Sequence, residues 1–385
     1  MKRLILFCVL TLTHLALPAS SAELHWAGVG FFGNYADRNA LYPNTSAVFD
    51  NKACKSTSCF EDFARGTFLG QKIDGMTVVP DLATAGSNAL ALALGISYES
   101  FSQEEIVIKG KKTFLGNFSV FGRLVIFNLY TNQLVASIPA LVRLADASDK
   151  PFTTQEVASR FERLITNSGS DISFVTDALA RLSTFKISAT ASPTYVQITV
   201  IDADSQAMMT MGQNKPELWL PKLAEIFEMA LMRNTQLNLV PASVGHVVGG
   251  KMKTKLASGD RTIELPSPNL KLGLILEKAA RFEKVEGAGK TVCHATRVKF
   301  TLRDSFDDEV LGESLRSVPC SVMSIETRID DTITFDKSVF SLVSSTAEAL
   351  HKPKSSEKFF KSAAPKRAQT VAANFVKANK ILFAK

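Results

Sequence analysis

The side chains best suited to catalysis or metal binding in this chain are histidines, and they lie far apart. His25, His246, His294 and His351 stand in four different segments. None forms the i, i+4 pair that binds zinc on one helix face, and the sequence has no G-x-S-x-G motif for a serine nucleophile. Ser243-Val-Gly-His246 would place an imidazole beside exposed backbone N–H groups, but a flexible connection explains this stretch equally well. The sequence therefore predicts no catalytic residue and favours a protein that is not an enzyme.

Two other clusters carry the residue types of a cofactor or metal site. Gly28-Val-Gly30-Phe-Phe-Gly33 resembles the G-x-G-x-x-G pattern, which in a dinucleotide-binding fold needs a strand before it and a helix after it. Residues 34–43 lack a helical pattern, so we expect no cofactor. Four acidic residues between Asp304 and Glu309 are calcium-type ligands without the spacing of a calcium-binding loop. They favour a solvated turn, and we expect no metal.

The first 22 residues have the pattern of a cleaved secretory signal. Lys2 and Arg3 are followed by an apolar run from Leu4 to Leu17 and by the small residues of Ala19–Ala22. The run is too short to span a membrane, and no later stretch is long enough to do so. We therefore expect residues 1–22 to be removed and the remaining chain to be periplasmic or secreted.

Four cysteines remain after the expected cleavage, and four cysteines allow three pairings. Two local bonds are the simplest arrangement, Cys54–Cys59 and Cys293–Cys320. The second pair flanks a predicted hairpin at equal distances from its turn, where the two residues would face each other across the strands. Two free buried thiols are the alternative, which an oxidising compartment disfavours.

The positive charge of the chain is concentrated at its C-terminus. The net charge is +7, yet residues 352–385 hold nine Lys or Arg and one acid. Residues 355–367 have the composition of a flexible segment, and residues 370–385 that of a basic amphipathic helix. We expect Lys377, Lys380, Phe375 and Phe383 to contact an anionic membrane surface or an envelope protein. The alternative is a helix that packs on the body of the protein; nucleic acid is not an expected partner.

Alternating apolar residues predict strand hairpins, and their spacing indicates a weak internal repeat. The copies are Val125–Ser137, Val298–Ser314 and a looser one at Val196–Met209. Periodic apolar stripes predict helices before, between and after these hairpins: Thr84–Leu94, Thr153–Thr166, Asp171–Phe185, Pro221–Arg233 and Asp336–Leu350.

These elements predict an α+β fold of two pseudo-repeated domains, each a helix, an antiparallel hairpin and a helix around a mixed sheet. We expect the first domain at residues 23–185, the second at 186–351 and a basic tail at 352–385. An N-terminal arm rich in glycine and aromatics, with Trp26, Phe31, Phe32 and Tyr35, would cover the body or a partner.

The order of elements over Pro216–Leu350 resembles the α/β domains of bacterial envelope proteins, namely the N-terminal domain of TolB and the curli secretion-channel lipoproteins. In those families a helix leads into a strand such as Gln236–Val240 and then into antiparallel strands. The resemblance implies a fold and no functional residue. The expected mature N-terminus has no lipobox cysteine, so the chain is not expected to be a lipoprotein.

Export, repeats and the absence of a catalytic cluster favour a non-enzymatic protein of the bacterial envelope that binds another macromolecule or the envelope surface. Two alternatives remain open. One is an exported hydrolase with dispersed catalytic residues. The other is a protein that binds a small molecule in a pocket between two lobes. A deep pocket with converging polar groups would distinguish them.

Overall fold

Two mixed β-sheets, each covered by helices, give the chain an α+β fold. A computed structural model describes residues 23–32, 38–50, 59–80, 89–108, 111–166, 173–187, 194–233, 237–242, 247–248, 250–325 and 330–383, with a few single residues between them. The expected signal sequence, Tyr35, Cys54 and Ser243–His246 lie outside the described residues. Within them, no helix is long and apolar enough to cross a membrane.

The elements alternate along the chain as follows. The strands are β1 (Glu23–Phe32), β2 (Lys72–Ile73), β3 (Met76–Val79), β4 (Leu90–Ile108), β5 (Lys111–Asn128), β6 (Leu134–Ser148), β7 (Tyr195–Ala203), β8 (Asn238–Val240), β9 (Val247–Val248), β10 (Lys251–Leu256), β11 (Gly259–Glu264), β12 (Leu270–Glu286), β13 (Gly289–Arg303), β14 (Glu309–Ser317) and β15 (Cys320–Ser324). The helices are α1 (Arg38–Leu41), α2 (Pro43–Asp50), α3 (Cys59–Phe68), α4 (Thr154–Thr166), α5 (Phe174–Thr184), α6 (Ser205–Thr210), α7 (Pro216–Met232), α8 (Asp331–His351), α9 (Glu357–Ala363) and α10 (Ala368–Leu382), with a 3-10 turn at Pro353–Ser355 before α9.

The first sheet has the order β11-β10-β1-β4-β5-β6, with β2, β3 and β9 added at its edges. β1 pairs in parallel with β4, whereas β4, β5 and β6 form long antiparallel hairpins. The apolar side chains of one face form a core with α2 to α5. The opposite face carries a smaller core that includes residues of β8, β10 and β11.

The second sheet has the order β14-β13-β12-β7-β8, and β15 also pairs with β13. β14 and β15 follow each other along one edge of β13, on either side of Val318 and Pro319. Cys293 and Cys320 stand opposite each other in this pairing, with 4.0 Å between their Cα atoms, and form a disulfide. The predicted Cys293–Cys320 bond is therefore confirmed.

β1 is an interior strand and not a surface arm, which corrects the interpretation of the N-terminal aromatic residues. The pairing of β1 with β4 shifts between Trp26 and Gly28, where Gly28 has a φ of 101°. A Cβ at Gly30 would lie 1.9 Å from the Lys255 backbone oxygen, so only glycine lets β10 approach. The two glycines thus serve a bulge and a close strand contact.

The carboxylate of Glu61 in α3 holds this bulge in place. It accepts hydrogen bonds from the Val29 backbone N–H at 2.7 Å and from the Trp26 indole N–H at 2.8 Å. The bulge leaves an N–H without a strand partner, and a buried carboxylate supplies the missing acceptor. The aromatic N-terminal segment is therefore fixed inside the first half of the molecule.

The C-terminal segment folds onto the second sheet. This packing is the arrangement given above as the alternative to a surface anchor. α9 lies in the stretch expected to be flexible, and its Phe360 ring is 5.0 Å from Phe375 of α10. Val371, Phe375 and Ala378 are fully buried. Burial of an apolar face yields more free energy than leaving it in water, so this face is used for the core and not for insertion into a membrane.

The predicted internal repeat is not confirmed by the structure. The helix predicted at Thr84–Leu94 is wrong, because residues 90–108 form β4, and the looser copy at Val196–Met209 is a strand followed by α6. The helix–hairpin–helix unit therefore does not occur twice in this form. In addition, residues 247–264 belong to the first sheet although they lie in the predicted second domain.

Candidate functional site

The groove between the two halves opens into a cleft of about 780 Å³. One wall comes from the first half, through β6 and α5, and the other from α7 and α8 of the second half. The cleft is lined by apolar residues at its base and by polar residues above them: Leu141, Arg143, Arg181, Ile226, Met229, Ala230, Arg233, Ser341, Ser344, Ser345 and Glu348. The volume is within the usual range of small-molecule sites.

Three arginines and one acid, Glu348, line the cleft. Arg181 is paired with Asp177 at 2.7 Å, one turn before it on α5. Arg143 and Arg233 form no ion pair with any residue that the structure describes. Burial lowers the pKa of the Arg143 guanidinium, which nevertheless stays charged at neutral pH. Two guanidinium groups therefore face the cleft with their hydrogen-bond donors available.

α8 contributes a polar stripe on the side that faces the cleft. Ser341, Ser344, Ser345 and Glu348 follow at i, i+3, i+4 and i+7, which places them on one helix face. The opposite face is formed by buried apolar residues such as Leu342 and Val343, which anchor the helix in the core of the second half. The three hydroxyls are thus held at the cleft by a fixed helix.

α7 is fixed against the first sheet by a buried cluster of charges. Arg123 of β5 donates hydrogen bonds to Glu225 and, at 2.8 Å, to Glu228, both on α7. Glu228 also accepts from the Ala242 backbone N–H at 2.7 Å. Although burial opposes it, the two carboxylates raise the pKa of Arg123. The cluster holds α7 so that Ile226, Met229 and Arg233 lie on its cleft side.

A second cavity of about 310 Å³ lies at the other end of α7, where Tyr98 of β4 meets the start of α8. Here Lys222 is 3.5 Å from Asp336, whose other oxygen accepts from the Trp219 indole at 2.8 Å. Burial raises the pKa of Asp336 and lowers that of Lys222, which Arg143 lowers further. Burial, with the charges of Asp336 and Glu99, raises the pKa of Tyr98 to about 12. The two cavities therefore share one electrostatic environment along α7.

The polar side chains of the two cavities are mainly arginine, lysine and serine, with the acids Glu348 and Asp336. The described lining residues of both cavities include no histidine or cysteine, and no hydrogen bond links a lining serine to a base. Guanidinium forks and hydroxyl groups bind carboxylate or phosphate oxygens. Within the described residues, no group of histidine, cysteine and acidic side chains could hold a metal ion. The cleft thus holds groups of the type that bind anionic oxygens.

None of the predicted site residues that the structure describes lines this cleft. Trp26, Phe31, Phe32 and Phe375 are buried, which excludes them as surface contacts. Phe383 is half-buried against the His351 ring, 5.3 Å away, whereas Lys377 and Lys380 are exposed. Cys59 is disulfide-bonded, and Cys54 and Tyr35 lie outside the described residues.

The cleft residues come from four elements that are distant in sequence, so sequence reasoning missed them. One local signal was present in the spacing of Ser341, Ser344, Ser345 and Glu348. This polar stripe on a helix with two strongly apolar faces beside it would normally be taken for a solvated surface. Arg143, Arg181 and Arg233 carry no such pattern.

Comparisons with known proteins do not identify a family. No protein-family model matches the chain, and no curated protein matches it. The chain is similar to the solved structure of a minor lipoprotein from Acinetobacter baumannii, with 8% identity over 44% of this chain and 96% of that one, at a TM-score of 0.22. It is also similar to a hypothetical protein from Chlamydia trachomatis, with 11% identity over 50% of this chain and all of that one, at a TM-score of 0.23. Neither is described as a TolB or curli secretion protein, so that resemblance is not confirmed.

Proposed function

We propose that this chain is a non-enzymatic binding protein of the bacterial envelope, which takes an anionic small molecule into the cleft between its two halves. The observation that carries this proposal is the pair Arg143 and Arg233, which face a cavity of about 780 Å³ without an ion-pair partner among the described residues. Both arginines are exposed at the cleft, so their guanidinium groups can donate to an anion without first breaking a contact within the protein.

Several features of the cleft indicate the chemistry of the ligand. Arginines from three elements, with three serine hydroxyls opposite them, would bind a molecule that carries more than one phosphate or carboxylate group. Ile226 and Met229 provide an apolar base against which its carbon skeleton would pack. The ligand is therefore expected to be a polyanion of low molecular mass with an apolar portion.

The proposed location rests on the sequence pattern of residues 1–22 and on disulfide chemistry. A disulfide such as Cys293–Cys320 persists in the periplasm or outside the cell, and is reduced in most cytosols. Periplasmic or secreted localisation is thus part of the proposal. N-terminal sequencing of the exported product should begin at or near Glu23.

The experiment is calorimetric titration of the full mature protein with inorganic phosphate, citrate and glucose as probes. We expect citrate to bind most tightly, because it offers several carboxylates, and glucose not to bind. Arg143→Ala with Arg233→Ala should weaken the binding of citrate at least about tenfold, since each lost charge-assisted hydrogen bond is worth more than 1 kcal/mol.

The matched control is Arg297→Ala with Arg316→Ala, which removes two exposed arginines from neighbouring strands of the second sheet. It changes the net charge equally and leaves the cleft intact. Equal weakening by both double variants, or no binding of either anion by the unmodified protein, would contradict the proposal.

A further inference from the structure

The outer side of the C-terminal segment carries a dense group of positive charges. Between His351 and Phe383 the segment has one acidic residue, Glu357, and eight exposed cations. We call these cations the cationic face: Lys352, Lys354, Lys358, Lys361, Lys366, Arg367, Lys377 and Lys380.

Most of these charges have no partner within the described residues. Lys361 is paired with Glu357 at 2.6 Å, and Arg367 with Glu313 of β14. The other six lysines form no ion pair with any described residue. Six like charges on a short segment repel each other. No ion pair among the described residues offsets this repulsion.

Hydrogen bonds bring the two ends of the segment together. The Asn379 amide of α10 donates to the backbone oxygens of Leu350 at 2.7 Å and His351 at 3.0 Å. Lys380 therefore lies next to the turn that bears Lys352 and Lys354. The buried ring of Phe375 packs against Phe360, which fixes α9 beside α10. The helices that bear the cationic face are thus packed on the body of the protein.

We propose that the cationic face docks this protein on an anionic lipid bilayer by charge alone, without insertion. Most apolar residues of α10 are buried in the core or pack against it, so little apolar surface is left to enter the acyl region. Seven of the eight cations are lysines, which act as point charges suited to a plane of lipid phosphates and offer no bidentate forks for a specific partner. The two aromatics at the surface of the segment are half-buried, which leaves no platform for stacking nucleic acid bases.

The experiment is co-sedimentation of the full mature protein with vesicles of neutral phosphatidylcholine, or of phosphatidylcholine with three parts in ten of phosphatidylglycerol. We expect binding to the anionic vesicles only. The partition coefficient should fall at least about tenfold between 20 and 150 mM salt, because the Debye length shortens from roughly 20 Å to 8 Å. This measurement of salt dependence uses the unmodified protein, so it does not depend on how a variant folds.

The test variant replaces four lysines of the cationic face with glutamine, and the matched control replaces four exposed lysines elsewhere. The test set is Lys352, Lys354, Lys377 and Lys380; the control set is Lys72, Lys111, Lys150 and Lys253. At low salt the test variant should bind about six hundredfold more weakly, since each of the four lysines near an anionic surface contributes about fivefold. The control should bind within about threefold of the unmodified protein.

Three results would overturn the proposal. One is equal sedimentation of the test variant and the unmodified protein. Another is an equal loss in the control, which would show that net charge and not this face drives binding. The third is binding to a soluble anionic polysaccharide, dependent on the same lysines, without binding to vesicles, because the occupant would then be a polymer and not a bilayer.

Discussion

The charge cluster that fixes α7 makes an unusual prediction, namely that Glu225→Gln stabilises the protein. Arg123 is enclosed with two carboxylates, so the cluster buries one negative charge in excess. Glu225 uses one oxygen for Arg123, and its other oxygen is buried without a hydrogen-bond partner among the described residues. A glutamine keeps the first oxygen, replaces the second with an amide group and removes the excess charge.

The size of the effect follows from Glu228. Burial raises the pKa of its carboxyl, against Arg123 and with help from Glu225, from 4.5 to about 7. Since each pKa unit is about 1.4 kcal/mol, this difference corresponds to roughly 3 kcal/mol. The folded protein binds the proton more readily than the unfolded chain. Its stability therefore rises as the pH falls from about 7 to 4.5, and this contribution is absent above pH 7.

Glu225→Gln removes one of the causes that raise the pKa of Glu228. We expect the pKa of Glu228 to fall, the free energy of unfolding at pH 8 to rise by about 1 kcal/mol, and the gain on acidification to shrink. Glu228→Gln is the matched control. Glu228 accepts from two donors, Arg123 and the Ala242 N–H, and an amide can satisfy only one of them. Glu228→Gln should therefore lower the free energy of unfolding by about 1–3 kcal/mol.

The assay is urea unfolding at pH 5, 6.5 and 8, followed by circular dichroism and extrapolated to water. The expected order of stability at pH 8 is Glu225→Gln, unmodified protein, Glu228→Gln and then Arg123→Met. The last variant leaves two buried carboxylates uncompensated at a cost of about 3–5 kcal/mol. If Glu225→Gln is less stable than the unmodified protein at pH 8, or keeps the full pH dependence, the reasoning about excess buried charge is wrong.

Three further predictions concern the frame of the molecule. Reducing the disulfide between β13 and β15, which joins residues 27 apart, should lower the free energy of unfolding by about 3 kcal/mol; unchanged urea midpoints would contradict this. Gly30→Ala should destabilise the protein strongly. Gly66 lies in α3 with open space around it, so Gly66→Ala should stabilise the protein by up to about 1 kcal/mol. Thermal melting of the two variants tests both expectations. Phe375→Ala should lower the free energy of unfolding, measured in urea, by about 3–5 kcal/mol, and Lys377→Ala should lower it by less than about 0.5 kcal/mol. Similar losses in the two variants would show that α10 does not pack on the body.

Helices with one apolar stripe were predictable from the sequence, because their pattern is local. The helix of residues 154–166, that of 174–184 and the later part of α7 follow the 3.6-residue period closely. The apolar run Leu90-Ala-Leu-Ala-Leu94 is part of the predicted helix Thr84–Leu94, but it forms the start of β4. β4 lies between two other strands and is covered on both faces, so its apolar residues run on without the alternation of a half-exposed strand.

The candidate site could not be predicted, since its residues meet only through tertiary structure. Arg143 and Arg233 reach the same cleft because Arg123, one strand away, holds α7 against the sheet. The same limit applies to β1, whose bulge depends on Glu61 in α3. The disulfide was the exception, because both cysteines flank one hairpin and the antiparallel register follows from its turn.

The placement of β10 beside β1 has a consequence for the order in which the chain acquires its fold. Phe32 pairs with Thr254, which lies 222 residues further along the chain. In a chain that emerges N-terminus first, at about 5–20 residues per second, this edge of β1 stays uncovered for roughly 10 to 45 seconds. An apolar strand with an open edge is prone to pair with another molecule during that time. The pairing that covers this edge cannot form until residue 254 has appeared, so a holding chaperone would be needed most before then.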